Sequence, residues 1–422
     1  MKITQHKDEL LGESVYTATH SSGLRIIVMP KENYDSAYAV FTVNYGSIDT
    51  FVQRENGTFK AIPEGTAHFL EHKLFESEEL DAFELFSRTG AYANAFTSFD
   101  RTAYLFKGSS NISESLGYLL DFVQNPYFTA ETVKKEQGII GQEILMYQDL
   151  PDWVVMFNLL KLLYKKHPVS IDIAGTQESI AKIDDKLLYS LYDTFYNPSN
   201  MCLTVVGAVD PGEVFGQVEK AIIRKKKPVP ERKFDPDTPR SAKKYIEASL
   251  PVAQKQFLIG FRQELKKPLL SLEDDYASNM LMSILFGRNS QFFKNALDEG
   301  LITMDFDASL FSGYGYCAYL IGGHGDDPEK VADLVRKEIA RAKKEGISAE
   351  DFERAKRKTY GRMVTDYDDI EGMANLLTGL YFDGCKPFDE MKVFKKLTLA
   401  KVEARLKVIN EKDGVLSVII PA

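Results

Sequence analysis

Polar and apolar residues alternate along several short stretches of the chain, and alternation puts successive side chains on opposite faces of a strand. Residues 16–29 hold two such runs on either side of Ser21-Ser22-Gly23, which predicts a hairpin. Residues 36–45 alternate around Tyr38, Val40, Thr42 and Asn44 and predict a strand, followed by a loop over 46–57. At Pro63-Glu64-Gly65-Thr66 the pattern turns helical, with Thr66 the expected N-cap. A second helix is expected over 80–88, ending at Gly90. Residues 91–106 alternate again around Ser98-Phe99-Asp100 and predict a second hairpin; helices follow over 113–124 and 130–148.

Residues 223–244 are rich in proline, lysine and arginine and read as an exposed, extended connector. Beyond it the order of elements starts again. Strands are expected at 245–250, 254–261, 305–311 and 317–322, and helices at 273–285, 291–299, 328–344 and 349–366. A chain of 422 residues exceeds what one hydrophobic core usually serves. The expected fold class is therefore α+β, two related domains over 1–222 and 245–422, each an antiparallel-rich sheet flanked by helices.

The candidate chemistry sits in the first predicted helix, at His68-Phe69-Leu70-Glu71-His72. Positions i, i+3 and i+4 share one helical face, so both imidazoles can reach a single ion with Glu71 beside it. Two neutral imidazoles suit Zn²⁺, and an adjacent carboxylate can take a proton from a water attacking a carbonyl carbon. The order is the inverse of H-E-x-x-H. With only six histidines in the chain, chance places such a motif about 0.01 times. A catalytic zinc with two histidines needs a third protein ligand and one open position. Glu131, Glu136 and Glu143 all lie on the helix predicted over 130–148, the last two being two turns apart on one face, and spacing does not choose among them. Such donors also accept Mn²⁺ or Co²⁺.

Net charge is −9, which leaves no uniformly basic surface for nucleic acid or an anionic membrane; Arg224-Lys225-Lys226-Lys227 is short and reads as solvated linker. No run of about 18 apolar residues occurs, and the first residues lack the apolar core of a signal peptide, so no membrane association is expected. Cys202, Cys317 and Cys385 are too far apart in sequence for a ligand cluster and suit thiols in a reducing, cytoplasmic setting. His20 reads as a surface residue beside a turn, His167 as structural, and His324 as a solvated loop residue.

The segment Glu64-Gly65-Thr66-Ala67-His68-Phe69-Leu70-Glu71-His72-Lys73-Leu74-Phe75 resembles the inverted zinc motif of the pitrilysin/insulinase peptidases, a family that includes the mitochondrial processing peptidase. Asn94-Ala95-Phe96-Thr97-Ser98, Gly175-Thr176-Gln177-Glu178-Ser179 and Tyr196-Asn197-Pro198-Ser199-Asn200 extend the resemblance in the family's order over most of the first 210 residues. It implies a zinc endopeptidase of two related domains in which His68, His72 and Glu143 bind Zn²⁺. Glu71 is then the general base, Glu136 its supporting acid, and Asn94, Ala95, Phe96 and Thr97 the strand that binds substrate backbone.

One departure from the family pattern bears on activity. Members that act alone usually carry an Arg and a Tyr seven positions apart around a Gly-Leu in the second domain. Aligning Gly300-Leu301 puts Ala296 and Thr303 in those places. The resemblance thus implies a heterodimer, with a related subunit supplying the Arg and Tyr; a homodimer, or substitution by Tyr314 or Tyr316, is the weaker expectation. Two rival readings are a peptide-binding subunit with a structural zinc and a zinc hydrolase of non-peptide substrates.

Overall fold

The computed structural model describes every residue except 54–56, 79–81, 235–236 and 238–242. In chain order the first elements are β1 (Thr4–Asp8), β2 (Glu13–Thr19), β3 (Arg25–Pro30), β4 (Ala37–Val43), β5 (Phe51–Gln53), β6 (Phe59–Ala61), α1 (Thr66–Leu74) and α2 (Ala82–Thr89). Next come β7 (Tyr92–Thr97), β8 (Thr102–Gly108), α3 (Ile112–Phe122), α4 (Ala130–Gln148), α5 (Pro151–Leu163), α6 (Gln177–Ile180), α7 (Asp185–Phe195), β9 (Met201–Gly207) and α8 (Pro211–Ala221). The later chain forms β10 (Tyr245–Leu250), β11 (Gln256–Arg262), α9 (Leu272–Phe286), α10 (Gln291–Asp298), β12 (Asp307–Gly313) and β13 (Tyr316–His324). It ends with α11 (Pro328–Glu345), α12 (Ala349–Asp366), α13 (Ile370–Phe382), α14 (Asp389–Lys395), α15 (Leu399–Leu406) and β14 (Val415–Pro421).

These elements fall into two compact α+β units, the first made of Met1–Ile144, Asp172–Lys233 and Val364–Asp389, the second of Leu145–Ile171, Phe234–Met363 and Glu390–Ala422. The first is built on a seven-stranded sheet of order β1-β2-β3-β9-β4-β8-β7, the second on a five-stranded sheet of order β10-β14-β11-β13-β12. β3 runs parallel to β9 and β10 parallel to β14; the other pairs in both sheets are antiparallel. The run β3-β9-β4-β8-β7 thus recurs, in order and sense, as β10-β14-β11-β13-β12.

Each core forms where central strands are covered on both sides. β4 and β9 are buried along their whole length, and so read as unbroken apolar runs more than as alternation. Chain order alone would give 145–171 to the first unit and 364–389 to the second, but compactness assigns each the other way. α5, nearly all apolar, buries Val155, Phe157, Leu159, Leu160, Leu162 and Leu163, and it packs on β14 and β11 of the second unit. α13 packs on β9 and β4 of the first, where the Thr204 and Thr378 hydroxyls are hydrogen-bonded at 2.7 Å.

Several expectations change. The region expected as loop over 46–57 contains β5, which pairs with β6 in a small hairpin. Thr66 is not the N-cap: it is the first helical residue, its hydroxyl donating to the Pro63 carbonyl, and Gly65 caps instead at φ 82. A Cβ at Gly65 would also lie 2.3 Å from the Ala174 carbonyl oxygen, so glycine is required twice over. His20 is buried, its Nδ1 accepting from the Ser22 amide at 3.2 Å. His324 ends β13 and pairs through Nδ1 with Asp305 at 2.5 Å. The helix expected from residue 80 starts partly outside the described residues and is seen from Ala82. Among the described residues, the three cysteines form no disulfide and no helix is long and apolar enough to cross a membrane.

His167 is structural, as expected. It caps the short turn Pro168–Ser170: Nδ1 accepts from the Val169 amide at 3.2 Å, so Nε2 carries the hydrogen and donates to the Tyr314 carbonyl at 3.2 Å. Burial pulls its pKa down from 6.5 to about 4, against the opposing pull of that carbonyl. A neutral ring in the fold and a titrating one in the unfolded chain make the contribution full above pH 6.5, and it is lost as pH falls toward 4. Guanidine denaturation at pH 7 and pH 4.5 is expected to show a drop in stability that is smaller in His167→Asn by about 2 kcal/mol. Equal drops in the two proteins would remove His167 from the account.

Candidate metal centre

α1 is placed by its own N-terminal turn. Ser179, at the start of α6, donates its hydroxyl to the Glu64 carbonyl at 2.9 Å, while Thr176 and Ser179 form a reciprocal capping box. Phe69, Leu70 and Leu74 turn into the core of the first unit. That orientation sends His68, Glu71 and His72 toward α4, because residues three and four apart share a face.

α4 supplies two carboxylates two turns apart. The Glu143 oxygens lie 3.7 Å from His68 Nε2 and 3.4 Å from His72 Nε2. One ligand atom from each of His68, His72 and Glu143 lies within 4.8 Å of the others. A tetrahedral ion with ligands at about 2.0–2.2 Å spaces its donors by roughly 3.3–3.6 Å, so this set fits one small cation. Glu136, two turns back along α4, accepts a hydrogen bond from His72 Nδ1 at 2.9 Å. A carboxylate only accepts, so Nδ1 carries the hydrogen and Nε2 presents its lone pair toward Glu143.

Electrostatics support the same donor set. Burial, helped by the neighbouring His72, pushes the pKa of His68 down to about 3 and keeps its ring neutral, the form that ligates metal. Burial also pulls on His72, but the Glu136 hydrogen bond and the charges of Glu71, Glu143 and Glu136 outweigh it and raise its pKa. Three carboxylates crowd one imidazole here, and a divalent cation satisfies that excess of negative charge better than a proton does. Burial raises the pKa of Glu71, opposed by a hydrogen bond from the Thr97 hydroxyl to Oε2 at 2.6 Å. A carboxylate moved up in this way holds a proton more readily than an ordinary one.

β7 is one edge of the seven-stranded sheet. Tyr92, Asn94 and Phe96 are exposed on one of its faces, whereas Ala93 is buried and Thr97 meets Glu71 on the other. The Asn94 side chain accepts from the Ala95 amide at 2.9 Å and donates to the Tyr92 hydroxyl at 2.9 Å.

The structure therefore brings His68, Glu71, His72, Glu136, Glu143 and Thr97 together, with Asn94, Ala95 and Phe96 further along the same edge strand. Sequence reasoning gave Thr97 to the substrate and did not see its bond to Glu71; its membership of a strand beginning at Tyr92 was the one available signal. In the second unit Ala296 is buried on α10, and the Thr303 hydroxyl lies 3.5 Å from the His324 carbonyl oxygen. Tyr316 is buried against Phe311.

Comparison with known proteins bears on the family. Residues 37–177 match the family described as Insulinase (Peptidase family M16), and residues 182–359 match the Peptidase M16 inactive domain. A Bacillus subtilis protein named "Uncharacterized zinc protease YmfH" is 43% identical over 407 residues, 94% of each chain. A solved chain described as M16-like, from Alicyclobacillus acidocaldarius, is 35% identical and superposes with a TM-score of 0.92 over 100% of this chain and 99% of its own. A protease from Helicobacter pylori shares the fold at 18% identity, with a TM-score of 0.82 over 96% of this chain and 99% of its own. With both family domains matched and a 43% identical relative aligned along 94% of its length, the chain belongs to the insulinase family of peptidases, M16.

Proposed function

We propose that the chain is a zinc-dependent endopeptidase acting on extended peptides or unfolded segments, in a cytoplasmic setting. The observation that carries this reading is the convergence of His68, His72 and Glu143 on one small volume, with Glu71 held beside it by Thr97. Zn²⁺, when bound there, supplies a Lewis acid that makes water nucleophilic at neutral pH and polarises the scissile carbonyl.

The chain's own residues do the rest. Thr97 occupies Oε2 of Glu71, which leaves Oε1 to take a proton from the attacking water and pass it to the departing amine. Glu136 fixes the tautomer and orientation of the His72 ring. β7 offers an edge to which an extended peptide can add as a further strand, once the Asn94 side chain leaves the Ala95 amide. Recognition of that kind reads backbone first, so it suits substrates without fixed structure.

A second reading is favoured by Ala296 and Thr303. A donor aimed at a developing oxyanion is worth about 3 kcal/mol, and neither alanine nor threonine replaces arginine or tyrosine at that reach. We therefore assign this chain the zinc-bearing half of a heterodimer, the partner being a related subunit that supplies the Arg and Tyr. A homodimer and a non-catalytic, peptide-binding subunit with a structural zinc are the alternatives.

Three outcomes are expected. Glu71→Gln should keep one equivalent of zinc and lose hydrolysis of a quenched fluorescent peptide by about 10²–10⁴-fold; cleavage at the wild-type rate would remove Glu71 as the base. Glu136→Gln should weaken zinc affinity in a chelator competition by about 10–100-fold, and an unchanged affinity would separate Glu136 from His72 function. Hydrolysis by the chain alone should rise by about 10²-fold when a related subunit carrying the Arg and Tyr is added, and full activity without it would reject the split site.

A further inference from the structure

The turn joining β7 to β8 is held by a residue of the connector, whose described residues form no helix or strand. Arg232 donates through Nε to Asp49 Oδ1 at 2.9 Å and through Nη2 to Asp49 Oδ2 at 3.1 Å. The same Nη2 reaches the Asp100 carbonyl at the tip of the turn. Both side chains are withdrawn from water, at 10% and 3% exposure.

Asp49 is itself bound within its own turn, just past the end of β4. Its Oδ2 accepts from the Gly46 amide at 2.9 Å. The segment after β4 lies flat on the turn: the Ser47 amide donates to the Ser98 carbonyl at 3.1 Å and the Ile48 amide to the Phe99 carbonyl at 2.9 Å. A Cβ on Gly46 would stand 2.5 Å from both the Arg101 amide and the Phe99 carbonyl, so the two segments touch backbone to backbone. Lys233 then places its ammonium 4.9 Å from the Phe59 ring centre and 5.8 Å from that of Phe51, tying the connector to the β5–β6 hairpin as well.

Thr97 is the residue immediately before this turn, and the Ser98 amide closes it on the Arg101 carbonyl at 2.8 Å. We propose that Arg232 is a positioning residue: by clamping Asp49 and the Asp100 carbonyl it fixes the β7–β8 turn, and through Thr97 the orientation of Glu71. Its action on Glu71 as a base rests on the peptidase reading; its hold on the edge strand does not. Lysine cannot take the place of arginine here, because a single ammonium does not match a carboxylate fork and a carbonyl together.

The test uses the full chain loaded with one equivalent of zinc and compares Arg232→Gln, Arg232→Lys and Asp49→Asn with wild type. In hydrogen exchange, amides over 93–102 should exchange about tenfold faster in all three variants, with zinc content and exchange in α4 and β9 unaltered. The double variant Arg232→Gln/Asp49→Asn should be no faster than Arg232→Gln alone, since both break one clamp. Where wild type hydrolyses a quenched fluorescent peptide, kcat should fall about tenfold in Arg232→Gln, and adding Thr97→Val should cost little more. Exchange that is unchanged, or faster to the same degree throughout the first unit, would overturn the proposal. Local exchange with unaltered kcat would keep the clamp and overturn the link to Glu71. Faster local exchange in a chain that cleaves nothing, alone or with a related subunit carrying the Arg and Tyr, would leave the clamp standing and count against the peptidase reading instead.

Discussion

Burial lowers the proton affinity of one imidazole of the centre, and crowding by acids raises that of its neighbour. His68 and His72 stand one turn apart with ring centres 4.5 Å from each other, yet their affinities for a proton are driven in opposite directions. The difference comes from the deeper burial of the first ring and from the acids around the second, Glu71 on α1 together with Glu136 and Glu143, which α4 brings against it. Without that packing the helix is a pair of histidines on a polar face. With it, three carboxylates crowd one imidazole, and a cation relieves that crowding.

Much of this was legible in sequence because the information is local. Three residues within one helical turn specify a shared face, and two alternating runs around a Ser-Phe-Asp turn specify the hairpin that became β7 and β8. Other features depend on partners far along the chain. Thr66 satisfied every local rule for a cap, but the Ala174 carbonyl beside Gly65 and the left-handed turn moved the helix start by one residue. α5 and α13 look like ordinary neighbours of the strands around them, and only three-dimensional packing sends each to the other unit. Arg232 lies in a stretch whose composition reads as solvated, and nothing nearby announces Asp49, 183 residues away.

The recurring strand order sharpens what differs between the units. Between β4 and β7 the first unit places α1 with its acid and imidazoles; between β11 and β12 the second places α9. α9 turns Ser278 inward, where its hydroxyl accepts from Arg405 Nε at 2.9 Å, and Arg405 also donates to Gln263 at 2.5 Å. A buried guanidinium with satisfied donors fixes a core and offers no lone pair to a metal. The same frame therefore supports ligand chemistry in one copy and a closed polar core in the other.

The Asn94 amide resting on the Ala95 amide hydrogen has a consequence for how the protein behaves in company. A bare sheet edge is a place where chains stack on one another, and no helix is needed to blunt it. A side chain that occupies the edge donor from within the same strand is a removable cover. An incoming strand must displace a contact that is always at hand, so a brief encounter with a passing edge gains little, while a longer extended segment gains enough further hydrogen bonds to lift it. Edge chemistry of this kind weighs against brief edge-to-edge pairing more than against a longer extended segment.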